Sequence, residues 1–295
     1  MTNKIRHAYL ICAHSNYKTL SLLLKALDSD NVDIYLHIDQ KSQFTSRDKE
    51  KLLENIKSSK VYFSKRIDIR WGGYSQTQMF IILMQQALST SKYDYFHMIT
   101  GHTLPIKSKD FIENFYVENY GKEFIHFSTT DGYDRVKYFW PYVENFSNLK
   151  GIKKIINKVL LALQRRLNVD IFKRHKIEYK WGSAYGSITE NFAKYLVSQE
   201  KKIKKYFSHT PISCESYLQT VIWNSPFKDN IFAFNENCNH LLYVKWDSGY
   251  CHAESITPQE IEMISKKSKS LWACKFDDET SYECYNKITN QFTII

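Results

Sequence analysis

Apolar residues fall in short runs divided by stretches of helical spacing. Residues 8–13 (Ala-Tyr-Leu-Ile-Cys-Ala) and 32–38 (Val-Asp-Ile-Tyr-Leu-His-Ile) are rich in β-formers and read as strands. Between them, leucines from Tyr17 to Leu27 recur at helical spacing, which makes a strand–helix–strand opening. A polar helix near 46–57, a short strand at Lys60–Phe63 and a strong helix over Gln76–Leu88, its start marked by Ser75, come next. Tyr93–Ile99 is a near-continuous apolar strand, and Phe124–Phe127 a further one. The second half reads as an extended run at Ala184–Ile188, helices at 189–198 and 214–224, and strands at Asn230–Phe234 and Leu241–Lys245. A final helix near 258–266 precedes Cys274-Lys275-Phe276-Asp277. Strands alternating with helices imply a parallel sheet with crossover helices and ligands at strand ends.

Composition narrows this picture. The chain has 295 residues, 43% of them apolar and 15% aromatic, enough to fill one sizeable α/β core. With 24% charged residues and a mean hydropathy of −0.46 it reads as soluble, and no apolar run approaches the ~20 residues of a membrane span. The apolar start is short and lacks a small-residue cleavage site, so it is expected to be the first strand and not a signal peptide. Only 9 Gly and 5 Pro exclude disordered and collagen-like classes. Six cysteines stand at 12, 214, 238, 251, 274 and 284 without CxxC spacing; we expect them reduced, in a cytoplasmic protein.

The net charge of +10 is local. Between Lys150 and Lys176 nine Lys/Arg face one acid, Asp170, so this block carries +8. Ile152, Ile155, Ile156, Val159, Leu160, Leu163 and Leu167 form an apolar stripe within it, with Lys153, Lys154, Lys158, Arg165 and Arg166 mostly elsewhere. Two readings stand: a basic amphipathic helix lying on an anionic membrane, or a packed helix with a solvated basic face. No nucleic-acid motif accompanies the charge, so a nucleic-acid partner is not expected.

Six segments occur in an informative order: His37-Ile38-Asp39-Gln40-Lys41-Ser42, Arg70-Trp71-Gly72-Gly73-Tyr74-Ser75, Tyr93-Asp94-Tyr95-Phe96-His97-Met98-Ile99-Thr100-Gly101, Leu104-Pro105-Ile106-Lys107-Ser108, Trp181-Gly182-Ser183-Ala184-Tyr185 and Leu271-Trp272-Ala273-Cys274-Lys275-Phe276-Asp277. Together they resemble the core-2/I-branching β-1,6-N-acetylglucosaminyltransferases, a family that includes peptide O-xylosyltransferases and bacterial relatives. The resemblance runs from about residue 8 to 278 and is weakest over 128–180. It implies a GT-A fold, Rossmann-like, with a mostly parallel central sheet and helices on both faces. The implied layout is one catalytic domain: a nucleotide-sugar-binding half over about 1–127, a basic amphipathic helical insertion over about 128–180, and an acceptor-binding and catalytic half over about 181–295.

The activity the resemblance implies is inverting transfer of a sugar, N-acetylglucosamine or xylose, from a UDP-sugar to a glycan hydroxyl, with no divalent metal and no cofactor. Such a transfer needs a carboxylate to take the acceptor proton and positive charge at the departing diphosphate. The family's base maps onto Glu215, which local chemistry alone reads as a first-turn carboxylate behind a Ser213 N-cap. The family's leaving-group lysine maps onto Lys275. His14, Asp39, Trp71, Ser183 and His252 fall to the nucleotide sugar by the same resemblance. Trp246, Arg135 and Lys137 fall to the acceptor side, although a buried structural role for Trp246 reads equally well.

Two positions depart from the pattern. Glu254 stands where relatives carry a second cation, so His252, Lys245 or another cation must substitute. Thr103 replaces an aspartate, which leaves the donor sugar open. These departures keep alive a second reading, an impaired relative acting as a sugar- or membrane-binding module. The one DxD, Asp28-Ser29-Asp30, lies before the second strand and reads as turn chemistry, and Asp277-Asp278 reads as solvated. The expected setting is bacterial surface polysaccharide synthesis, at the inner face of the membrane, on a glycan or lipid-linked oligosaccharide acceptor.

Overall fold

The computed structural model describes residues 4–233, 239–246 and 253–293. Its main sheet contains β1 (His7–Ala13), β2 (Val32–Ile38), β3 (Lys60–Phe63), β4 (Tyr95–Thr100), β6 (Phe124–Ile125) and β7 (Gly186–Thr189), in the order β3-β2-β1-β4-β7-β6. The first four pair in parallel, and β7 runs antiparallel to both β4 and β6. A second sheet sets β9 (Trp272–Cys274) between β5 (Thr103–Pro105) and β8 (Leu242–Val244). The strands β2 and β4 are buried at every residue, which is why their sequences run apolar without alternation.

Helices cover both faces. In chain order they are α1 (Tyr17–Leu27), α2 (Ser46–Leu53), α3 (Ser75–Thr90), α4 (Lys109–Glu118), α5 (Asp134–Lys137), α6 (Gly151–Arg166), α7 (Glu190–Ser198), α8 (Glu200–Phe207), α9 (Tyr217–Trp223), α10 (Ile261–Lys267) and α11 (Ser281–Thr293). Alternate residues of β1 feed the two cores. Tyr9, Ile11 and Ala13 meet α1, α4, α10 and α11, whereas Ala8 and Leu10 meet α3, α7, α8 and α9. Burying Leu20, Leu23 and Leu24 of α1 stabilises the fold by about 2 kcal/mol each.

The sequence reading and the structure part at several places. The helix near 258–266 is not the last, because α11 follows it. Asp277 and Asp278 are not simply solvated. Asp277 accepts from the Glu279 and Thr280 amides ahead of α11, and Asp278 Oδ1 accepts from the Thr19 amide at 2.8 Å in the first turn of α1. Asp28 does more than local turn chemistry: it accepts from the amides of Lys57, Ser58 and Ser59, 29 to 31 residues further along the chain. Ser75 begins α3 without capping it, since its hydroxyl donates to Glu144 at 2.8 Å. Of the expected strand at Asn230–Phe234, only an isolated bridge between Ile231 and Glu123 forms among the described residues.

The basic helix forms as α6, but its packing is the reverse of what hydropathy implies. It is anchored through Asn157, Leu161 and Gln164, and the Gln164 amide exchanges two hydrogen bonds with the Phe139 backbone, at 2.8 and 3.0 Å. Ile152, Ile155, Ile156, Val159, Leu163 and Leu167 face outward.

Candidate active site

The order β3-β2-β1-β4 reverses direction between β1 and β4, and the C-terminal ends of these strands open a crevice at that switch point. His14 follows β1 and is exposed at the rim, with its ring centroid 5.2 Å from that of His102, which follows β4. Asp39, at the end of β2, is buried; its Oδ1 accepts from the Lys41 amide at 3.0 Å, and its Oδ2 lies 3.2 Å from the Lys41 ammonium. Arg66 clamps this loop by donating to the carbonyls of Ile38, Asp39, Gln40 and Ser42.

Lys275 leaves β9 at the same crevice. Desolvation lowers the His14 pKa first; Asp39 pulls it upward, and the charges of Lys275 and Lys41 press it down again. His102 is pushed to about 4 by burial and then by His14, with Lys275 contributing. Both rings are therefore neutral at pH 7 and close to a fixed positive charge. Among the described residues the Lys275 ammonium enters no ion pair. Lys245, weighed from sequence as a substitute cation, is committed elsewhere. It lies 2.9 Å from Glu254 and 2.8 Å from Glu260. Glu254 shares that one positive charge with Glu260. His252 lies outside the described residues, and Thr103 is fully buried in β5 opposite Cys274.

Glu215 approaches from the other half of the chain. It ends a 3-10 turn, Ser213–Glu215, immediately before α9, and Ser213 does not cap. Its hydroxyl instead pairs with Thr77 at 2.8 Å, and Ile212, in a left-handed conformation, donates its amide to the Gly72 carbonyl. These contacts tie the turn to the Trp71-Gly72-Gly73 segment. Arg135 Nη1 donates to Glu215 Oε2 at 2.7 Å, and the guanidinium lies 4.3 Å from the Trp181 ring centroid. Arg135, assigned to the acceptor from sequence, is thus seated on the candidate base itself. Glu215 Oε1 makes no hydrogen bond among the described residues, and the side chain is 32% exposed.

Tyr185 lies near Glu215. It packs against both cores and is close enough to Glu215 and to the Cys12, Cys214 and Cys274 thiols for their charges to act on it, while burial raises its hydroxyl pKa well above the usual value. Ser183 is held by its amide on His126 Nδ1 at 3.2 Å and by Gln219 donating to its carbonyl at 2.7 Å. Trp71 is half-exposed, its ring stacked on Phe146 at 6.1 Å, so the 128–180 segment walls this side. Trp246 is 63% exposed, which removes the buried structural reading. The Lys137 ammonium lies over Tyr138, 5.5 Å from the ring centroid, and away from Glu215.

Several contributors went unassigned in the sequence: His102, Asn16 whose amide lies 2.8 Å from His102 Nδ1, Arg66, Glu144, Tyr185 and Gln219. Position beside quoted motifs is the one signal that points to His102 and Tyr185. Nothing local marks the others. Among the described residues, no group of three or more His, Cys, Asp or Glu side chains is arranged to hold a metal ion.

The six-stranded sheet with helices on both faces, joined by a second, three-stranded sheet, is an α/β glycosyltransferase fold related to the GT-A type. The profile of the Core-2/I-Branching enzyme family matches residues 7–267, and the chain belongs to that family. Xylosyltransferase 2 of Rattus norvegicus is 22% identical over 298 residues, covering 95% of this chain and 33% of the relative. Xylosyltransferase sqv-6 of Caenorhabditis briggsae is 23% identical over 226 residues, covering 75% of this chain and 26% of the relative. The chain spans about a third of the length of the curated relatives it matches. These relatives are animal proteins, and the expected bacterial origin has no counterpart among them. Among solved structures, apo mouse xyloside xylosyltransferase 1 matches with a TM-score of 0.41 and 9% identity, covering 91% of this chain and 96% of that one.

Proposed function

We propose that the protein transfers a sugar from a UDP-sugar to a hydroxyl of a glycan acceptor, free or carried on lipid, with inversion and without a divalent metal. The observation that carries this reading is the state of two groups: Lys275, near His14 at the crevice and, among the described residues, in no ion pair, and Glu215, with Oε2 held by Arg135 and Oε1 in no hydrogen bond among the described residues. In the reaction, Glu215 Oε1 takes the acceptor O–H proton as that oxygen attacks the anomeric carbon. The bond from this carbon to the diphosphate breaks, and Lys275 stabilises the negative charge on departing UDP. Xylose, the sugar in the relatives' names, and N-acetylglucosamine are the donors to test first. Assembly of a polysaccharide is the setting that fits such an activity.

His14, Asp39, Trp71 and Ser183 bind the donor in this reading, and Trp246 and Lys137 the acceptor. The competing reading of an inactive binding module drew on Glu254 and Thr103. Lys245 holds Glu254 together with Glu260, and Thr103 is buried, so the turnover assay decides between the two readings.

The test is donor turnover in EDTA by wild type, Glu215→Gln and Lys275→Ala, with product anomer read by NMR. We expect inverted product from wild type and losses of about a hundredfold or more in both variants, with UDP binding kept in Glu215→Gln. UDP binding with no turnover in wild type would establish the binding-module reading instead.

A further inference from the structure

The outward face of α6 is unlike the rest of the surface. Ile152, Ile155, Ile156, Val159, Leu163 and Leu167 are between 42% and 68% exposed, and together they leave several hundred Å² of contiguous apolar surface in solvent. A patch of that size on a soluble protein marks an interaction surface. Lys153, Lys154, Lys158, Arg165 and Arg166 flank it and are exposed. Among the described residues none of these five cations is in an ion pair, and the helix contains no acidic residue. Lys153 and Lys154 even stand in the first turn, where the helix dipole disfavours positive charge. The fold thus retains an uncompensated charge beside an uncovered apolar stripe.

We propose that α6 seats the protein in the interface of an anionic lipid bilayer, with the apolar stripe dipped among the acyl chains and the cations on the headgroups. The two features select this occupant together. Nucleic acid would satisfy the charge and leave the stripe wet. A second copy apposing its own α6 would bury the stripe and bring like charges together. No helix among the described residues is long and apolar enough to cross a membrane, so α6, at 16 residues, lies along the surface. The leaflet of matching chemistry is the cytoplasmic one, where anionic headgroups concentrate.

A second observation joins this surface to the candidate site. The Phe139 backbone, held by Gln164 of α6, belongs to a residue lining a cavity of about 80 Å³ bordered by Phe172, Tyr206, Arg174 and Lys205. The segment that carries α6 also supplies Arg135 to Glu215, Glu144 to Ser75 and Phe146 to Trp71. A bilayer under α6 therefore sits against the same wall as the candidate base. Resting on the transferase reading, this deepens it to an acceptor held on a lipid.

The test is co-sedimentation of the full chain with phosphatidylcholine vesicles, with and without phosphatidylglycerol, in the absence of any sugar substrate. Binding is expected to the anionic vesicles only. It should fall about a hundredfold or more when Lys153, Lys154, Lys158, Arg165 and Arg166 are changed together to Gln. A second variant, Ile155→Ser with Val159→Ser and Leu163→Ser, should lose binding while its thermal unfolding stays that of wild type. Binding that ignores lipid charge would overturn the proposal. So would wild-type binding by both variants, stripe-dependent dimers in analytical ultracentrifugation, or tighter association with duplex DNA than with vesicles. Turnover on a soluble acceptor is measured separately, so failure of docking and failure of the transferase reading are told apart.

Discussion

Gly182 is the position where a single methyl group should cost the most. A Cβ there would lie 1.9 Å from the His126 carbonyl oxygen and 2.7 Å from its carbon, both backbone atoms that no rotamer change can clear. The Gly182 amide meanwhile donates to the Glu215 carbonyl at 2.8 Å, and on either side Trp181 lies under Arg135 and Ser183 is held by Gln219. Gly182→Ala must therefore separate two backbone segments by roughly an ångström. That breaks the bond to Glu215 and weakens the Gln219 bridge, at about 1 kcal/mol per bond, on top of 1–3 kcal/mol for overpacking. The expected loss is about 3–5 kcal/mol, a large share of the roughly 5–15 kcal/mol available to a domain. Urea unfolding at neutral pH should show the midpoint falling with little change in slope. Donor turnover below the unfolding range should fall as well, because both supports of Glu215 pass through this tripeptide. Stability within about 1 kcal/mol of wild type, with unchanged turnover, would refute the reasoning.

Four further perturbations follow from the same contacts. Arg135→Gln removes a charged hydrogen bond from a pair 25% and 32% exposed, so after solvent screening we expect about 1–2 kcal/mol, or a five- to thirtyfold fall in kcat. Steady-state kinetics should show the donor KM little changed; a rise in KM at constant kcat would place Arg135 on the donor instead. Glu123 is fully buried, and burial raises its carboxyl from 4.5 to about 7 against the two Thr189 donors. The native state then holds a proton that the unfolded chain has released, so stability is present at low pH and is lost as pH rises towards and through 7, by roughly 3 kcal/mol in total. Urea unfolding as a function of pH should show this slope in wild type and its absence in Glu123→Gln. His102 has the opposite sign: held near 4, it resists the proton the unfolded chain takes up near 6.5, so stability falls as pH drops between those values, and His102→Gln should flatten that acid limb in the same assay. Asp278→Ala frees the first-turn amides of α1 and should lower stability by about 1 kcal/mol, read as a lower Tm by calorimetry.

The sequence by itself determined the elements whose hydropathy is locally unambiguous. β1, β2 and β4 are buried on both faces, so their sequences are continuous apolar runs, and α1 carries leucines on the side that packs on the sheet. Asp39, in the first quoted motif, falls at the C-terminal end of β2, one of the parallel strands whose C-terminal ends share an edge, whereas Lys275 follows β9 of the other sheet. Local pattern failed where few residues of an element are buried. In α8 only Ile203 and Phe207 face the core, and α4 shows little beyond its Ser108 cap.

Only tertiary structure decided which partner each polar group would meet. Arg135 reaches Glu215 across 80 residues, Asp278 accepts from Thr19, 259 residues earlier in the first turn of α1, and Lys245 spends its charge on Glu254 and Glu260 instead of on a leaving group. The clearest case is α6. Its periodicity names the apolar face, yet the fold holds the helix by Asn157, Leu161 and Gln164, with Gln164 bonded to the Phe139 backbone. Periodicity records which residues share a face, whereas which face turns inward depends on groups brought together by the rest of the chain.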